Sequence, residues 1–182
     1  MPKYLNTFLK LIIIFVLIIA LLSFAVLTCY GLFAIKYEDS IQSYCKEYGV
    51  DENLVYALIK AESDFNEKAV SNASAKGLMQ LTDETFAFCK EQIGIQADAD
   101  IYDTEANLHA GIWYISFLLE KYSGNIKNAV AAYNAGATNV DSWLSSPEYS
   151  SDGKTLKKIP FGETQRHVEK IVRYRKIYSI LY

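Results

Sequence analysis

Residues 11–35 contain no charged side chain, and Leu, Ile, Val, Phe and Ala dominate them. At about 1.5 Å of helical rise per residue, a run of this length crosses the roughly 30 Å hydrocarbon layer of a bilayer. It is therefore a membrane span or something processed from one, and it divides the chain into 1–10, a cytoplasmic N-terminus, 11–35, a transmembrane anchor, and 36–182, the functional domain. Lys3 and Lys10 precede the span while Glu38 and Asp39 follow it. That basic excess places the N-terminus inside the cell and the domain on the extracytoplasmic side. A cleavable signal peptide is an alternative, with Ser23-Phe24-Ala25 as the small-x-small site, but its apolar region is usually only about 7–15 residues and this run continues past the site. A second alternative is lipidation of Cys29 after cleavage behind Val26-Leu27-Thr28, for which Thr28 is a poor preceding residue.

The 182-residue chain then has room for one modest domain. Its formal net charge is −3, and without Lys3 and Lys10 the remainder is more acidic still. Nucleic acid and anionic lipid are poor principal partners for such a surface. Cys45 and Cys89 suit either a disulfide in an oxidising compartment or two buried thiols. The apolar spacing beyond the span is helical, so an all-α domain is expected. A first helix covers 38–48 and ends at Gly49; a second is capped by Asp51 and carries Leu54, Val55, Leu58 and Ile59 on one side. Residues 66–76 form a polar loop leading to Gly77-Leu78-Met79-Gln80-Leu81. Thr82 or Asp83 caps a helix to Gln92, closed by Gly94. Asp98, Asp100, Asp103 and Glu105 lack the glycine and terminal glutamate of EF-hand spacing, so they are read as a solvated, capping loop with no metal. Amphipathic helices follow at 107–121 and 126–134, with a further turn or two at 139–144. Residues 145–158 have no apolar period and are expected to be the most mobile loop. The last helix runs from Glu163 to about Leu181, with Val168, Ile171, Val172 and Tyr178 inward and Glu163 in the first turn.

Glu62 stands four residues after Leu58, at the C-terminal end of the apolar stripe. Partial burial and the negative end of the helix dipole both favour the protonated acid there. A carboxylic acid kept protonated is what glycosidic cleavage needs, because the departing sugar oxygen must receive a proton. A helix-terminal glutamate turned into water is the bland alternative. Ordinary glycosidases add a second carboxylate about 5–9 Å away. Asp64 faces elsewhere on the helix, and Asp83, Glu84 and Glu163 are explained as helix-start residues. A lone acid suffices where an N-acetylated substrate supplies its own nucleophile.

Glu62-Ser63, Gly77-Leu78-Met79-Gln80-Leu81, Ala132-Tyr133-Asn134-Ala135-Gly136 and Ile159-Pro160-Phe161 followed by Glu163-Thr164 occur in an order that resembles the catalytic domain of lytic transglycosylases of the soluble, goose-lysozyme-like type. The resemblance covers the chain from about Tyr44 to Tyr182. It implies a mainly α, lysozyme-like domain preceded by one transmembrane helix. It further implies cleavage of the β-1,4 bond between N-acetylmuramic acid and N-acetylglucosamine in peptidoglycan, leaving a 1,6-anhydromuramyl end. By the same resemblance Glu62 is the catalytic acid and then base, and Ser63, Met79, Gln80, Tyr133 and Asn134 line the saccharide cleft. His167 stands where the family usually has a tyrosine facing the acid, and prolines usual after Val70 and Leu81 are absent. No cofactor is implied. Expected partners are glycan strands and the cytoplasmic membrane, with envelope-assembly proteins left open. A hydrolytic muramidase and a catalytically silent wall-binding subunit are the competing readings.

Overall fold

The structure is a computed structural model describing residues 2–182, with side chains from Thr7 onward. The side chain of Lys3, used above for orientation, lies outside the described residues. Backbone contacts separate a unit ending at Ala34 from a second unit over residues 35–180. The first unit is one helix, α1 (Pro2–Leu32). Its stretch Thr7–Leu32 has a mean hydropathy of 3.2, and 0% of its most apolar window is covered by protein. An apolar helix left bare in this way needs an apolar solvent or removal by processing, and its length and composition fit both.

The second unit contains α2 (Glu38–Tyr48), α3 (Glu52–Glu62), α4 (Asp83–Ile93), α5 (Thr104–Lys121), α6 (Ile126–Ala135), α7 (Ala137–Leu144) and α8 (Gly162–Leu181). Polar side chains set most of the starts. Asp51 accepts from the Asn53 amide, Thr82 from Thr85, Asp103 from Ala106 and Asn125 from Asn128, each satisfying a donor that the first helical turn leaves unpaired. Thr82 is thus the cap of α4, while Asp83 in its first turn pairs with Lys76 at 2.8 Å. Asp103 starts α5 three residues before the apolar period becomes visible, because Thr104, Glu105 and Ala106 give that period nothing to register. Asp100 accepts from the Tyr102 amide, so two of the four acids in this loop serve local backbone.

α5 packs against α2, α4 and α6 and supplies the centre of the core through Leu108, Ile112, Ile115 and Leu118. Ala129, Ala131 and Ala132 keep α6 slim enough to close on it. The six residues Leu54 to Ile59 of α3 are all buried. Instead of showing one wet face, this helix is enclosed all round through its middle, and only its polar ends reach the surface.

Two expectations change, and one alternative left open is decided. Val172 is 48% exposed, so the inner side of α8 is Val168, Ile171 and Tyr178. Cys45 and Cys89 are free thiols in the core, where burial pushes each up to about 12. Residues 145–158 lack an apolar period but are tied down. Buried Asn128 donates to the Lys154 carbonyl at 2.7 Å and accepts from the Leu156 amide at 3.2 Å, and Lys127 donates to the Leu156 carbonyl at 2.8 Å. Leu156 is 1% exposed, so this segment is held by polar pins around one apolar plug, a pattern that periodicity does not detect.

Candidate active site

α3 emerges from the core at its C-terminal end, and Glu62 is its last residue. The Glu62 side chain is 15% exposed, and its Oε1 lies 3.1 Å from His167 Nε2 on α8, itself 12% exposed. The distance is that of a close polar contact. The buried Nε2 nonetheless lacks hydrogen-bond alignment with any group, so the imidazole faces the acid without a formed hydrogen bond. Asp64, the next carboxylate along the chain, is exposed and paired with Lys60 one turn back. The group that the tertiary structure brings to Glu62 is therefore an imidazole rather than a second acid.

Two contacts fix the end of α3. Lys170 on α8 donates to the Ala61 carbonyl at 2.8 Å, placing a cation where the helix leaves carbonyls unsatisfied. Ser63 donates to the Leu78 carbonyl at 2.7 Å, with the Ile59 carbonyl as an alternative at 3.2 Å, and its residue exposure is 9%. The hydroxyl thus ties the end of α3 to the loop at residues 77–81.

That loop is organised by Asn107, a buried polar residue of α5. Its Oδ1 accepts from the Met79 amide at 2.9 Å, and its Nδ2 donates to the Ile101 and Lys76 carbonyls at 2.8 and 3.2 Å. Gly77 has φ +77, and a Cβ there would meet Asn107 Nδ2 at 2.3 Å, so the loop needs glycine for both conformation and space. Met79 is 0% exposed, and a Cβ on Gly111 would lie 2.4 Å from its sulfur. Its side chain fills the notch that Gly111 leaves in α5. It is a core residue here, in contrast to the expected sugar-packing surface, because an unbranched thioether is easily accommodated in an irregular gap.

The backbone of Met79 contributes instead. Tyr133 on α6 donates to its carbonyl at 2.7 Å. Burial, and secondarily the Glu62 carboxylate, push the Tyr133 phenol well above its ordinary range, so it remains a neutral donor beside the acid. Gln80, at φ 48, donates from Nε2 to the Gly77 and Ala69 carbonyls at 2.9 and 3.1 Å. Two carbonyl neighbours identify that end of the amide as nitrogen and leave the side-chain oxygen as the acceptor for an incoming N–H. Asn134 is exposed, with its Oδ1 accepting from Thr164 at 2.7 Å. This bond joins the end of α6 to the first turns of α8, which also carries His167.

Glu62, Tyr133 and His167 thus gather at one place, with Gln80 and Asn134 on the flanking loop and helix end, while Ser63 and Met79 act from beneath. Asn107, Gly111 and Lys170 escaped the sequence reading. Asn107 and Gly111 could have been noticed as a polar residue and a gap on the otherwise apolar inner side of α5.

The family model described as transglycosylase SLT domain matches residues 39–156, ending before α8. A membrane-bound lytic murein transglycosylase C from Edwardsiella ictaluri is 31% identical over 166 residues, which cover 79% of this chain and 46% of that protein. The structure of lytic transglycosylase Slt from Pseudomonas aeruginosa, solved as an inactive glutamate-to-glutamine mutant, matches with a TM-score of 0.72 at 27% identity, over 81% of this chain and 24% of that one. The 70 kDa soluble lytic transglycosylase of Escherichia coli matches in fold with a TM-score of 0.74 at 24% identity, over 84% and 25% of the two chains. The chain therefore spans from about a quarter to under half of these proteins.

Proposed function

This chain belongs to the transglycosylase SLT domain family, a family of lytic transglycosylase enzymes with a lysozyme-like helical fold, and we propose that it cleaves the β-1,4 bond between N-acetylmuramic acid and N-acetylglucosamine in peptidoglycan without consuming water. The observation that carries the reading is one part-buried glutamate, Glu62, faced by His167 and flanked by the neutral donor Tyr133. Glu62 in its acid form gives its proton to the oxygen leaving with N-acetylglucosamine as the bond to the muramyl anomeric carbon breaks. The muramyl 2-acetamido oxygen stabilises that carbon in the interim. Glu62, now a carboxylate, takes the proton of the muramyl 6-hydroxyl as its oxygen bonds to the anomeric carbon. A 1,6-anhydromuramyl end results, and the enzyme returns to its starting protonation state. His167 is suited to hold the carboxylate between the two steps, and Gln80 and Asn134 to meet the N-acetyl and carboxyl-bearing groups of the sugars.

The apolar helix α1 supports tethering of the domain on the outer side of the cytoplasmic membrane as a single-pass protein. Glycan strands are the substrate in this reading, and proteins of an envelope assembly are candidate neighbours. Glu62→Gln tests the enzyme reading. The variant is expected to fold and to bind glycan but to lose wall lysis, and mass spectrometry of the parent's digests should show anhydromuramyl ends. Products heavier by one water would identify a hydrolytic muramidase instead. Absence of lysis in the parent chain would favour a silent binding subunit.

A further inference from the structure

Beyond Tyr133 the aromatic side chains continue. The Tyr133 ring lies 5.5 Å from Tyr114, which stacks at 6.3 Å on Phe117. Phe117 stacks on Trp113 at 5.5 Å with an interplanar angle of 18°, and Phe88 on α4 closes the group at 5.6 Å from Trp113 and 5.9 Å from Phe117. This ladder starts at a ring within electrostatic reach of Glu62 and ends in the open, where Phe88 and Phe117 are each 37% exposed and Trp113 is half-buried. Aromatic rings are costly to leave in water, and a contiguous exposed set of them marks a binding surface.

We propose that this ladder is an extension of the glycan-binding surface, on which the apolar faces of pyranose rings of the same strand stack beyond the cleft. The inference rests on the transglycosylase reading above. Its continuity with Tyr133 argues for the glycan as occupant. The charges around it argue against a membrane surface, where exposed aromatic rings also collect. Glu84 and Glu91 lie within one helical turn of Phe88 and Glu120 within one turn of Phe117, all three exposed, while Lys121, also within a turn of Phe117, is paired with Asp141 at 3.0 Å. Acids in those positions repel anionic lipid headgroups but do not oppose the uncharged face of an N-acetylated sugar.

The test uses the full chain in detergent micelles carrying Glu62→Gln, so that ligand is not turned over. β-1,4-linked N-acetylglucosamine di-, tetra- and hexasaccharides are titrated by calorimetry and by tryptophan fluorescence. The chain has two tryptophans, and Trp143 is only 6% exposed, so a change in quencher-accessible emission reports Trp113. Affinity should rise with oligomer length, and the hexasaccharide should shield Trp113. Trp113→Leu keeps an apolar side chain but removes the ring. It should cost about tenfold in hexasaccharide affinity, shrinking the ratio between hexa- and disaccharide. Phe88→Ser, a second and more exposed change, should act in the same direction, with circular dichroism confirming the fold of both. The proposal is overturned if both folded variants keep the parent's length dependence, or if phospholipid vesicles shield Trp113 and the hexasaccharide does not. Glu62→Gln protein that still lysed wall would instead refute the catalytic reading, whatever the oligosaccharides do.

Discussion

Replacing Asn107 by alanine is expected to cost about 3–5 kcal/mol, far more than one polar side chain usually contributes. Asn107 is 1% exposed and makes three hydrogen bonds. Its loss orphans the buried Met79 amide and the Ile101 carbonyl, at about 1–3 kcal/mol each. The Lys76 carbonyl suffers less, since it also accepts from the Leu81 amide at 3.0 Å. A residual cavity adds the remainder. Domains of this size have a total stability of about 5–15 kcal/mol, so the variant should fold with its melting temperature lowered by about 6–20 °C. Thermal denaturation followed by near-ultraviolet circular dichroism in micelles measures the shift. The Gly77→Ala change sharpens the test. In the parent its Cβ meets Asn107 Nδ2 at 2.3 Å, whereas in the alanine background only the strain of φ +77 remains. A double-mutant cycle should therefore show coupling of at least about 1 kcal/mol. A loss below about 1 kcal/mol for Asn107→Ala, or additivity of the two changes, would refute the claim that Asn107 holds the loop carrying Met79.

Gly111→Ala should destabilise by about 1–3 kcal/mol through overpacking against Met79, and lysis should fall with it because the Met79 carbonyl anchors Tyr133; an unchanged unfolding midpoint would contradict this packing. Asp152 accepts from the Lys154 and Thr155 amides at 2.8 Å each, which hold its carboxyl down at about 2. Its folded value is depressed, so its contribution is present above the ordinary 3.8 and disappears as pH falls toward about 2. Asp152→Asn should accelerate amide hydrogen exchange at residues 154 and 155 near neutral pH, and exchange matching the parent's would count against the pin. His109 stacks on Tyr44 at 4.5 Å and meets the Tyr48 hydroxyl at 2.6 Å, and burial holds its imidazole below the ordinary 6.5 against the opposing pull of Glu47 and Glu105. The unfolded chain then takes up more protons there, so stability should fall as pH drops below about 6.5. His109→Gln should flatten that decline in melting temperature, and an unaltered acid slope would remove His109 as its source.

Much of the frame was readable one residue at a time. Asp51 and Thr82 announce helix starts because capping is a local exchange between a side chain and an amide two or three residues on. Gly49 and Gly94 announce helix ends for an equally local reason, the left-handed backbone at φ 66 and φ 69. Segments whose order depends on distant partners were not readable. Residues 145–158 look like loose chain until Asn128, on another element, is seen to bind two of their backbone groups. Met79 looked like a ligand surface because nothing nearby in sequence reveals the space above Gly111.

The sequence by itself determined the apolar N-terminal helix, the helical domain after it, and the placement of a glutamate at the end of an apolar helix, because periodicity, caps and charge are properties of neighbouring residues. The family resemblance set His167 opposite that glutamate, and only the tertiary structure decided how the two are brought together. His167 lies over a hundred residues further along the chain and reaches Glu62 because Lys170 ties α8 to the Ala61 carbonyl and Thr164 ties it to Asn134. Pairing of groups so far apart is set by how packed helices close on one another, which no local pattern encodes.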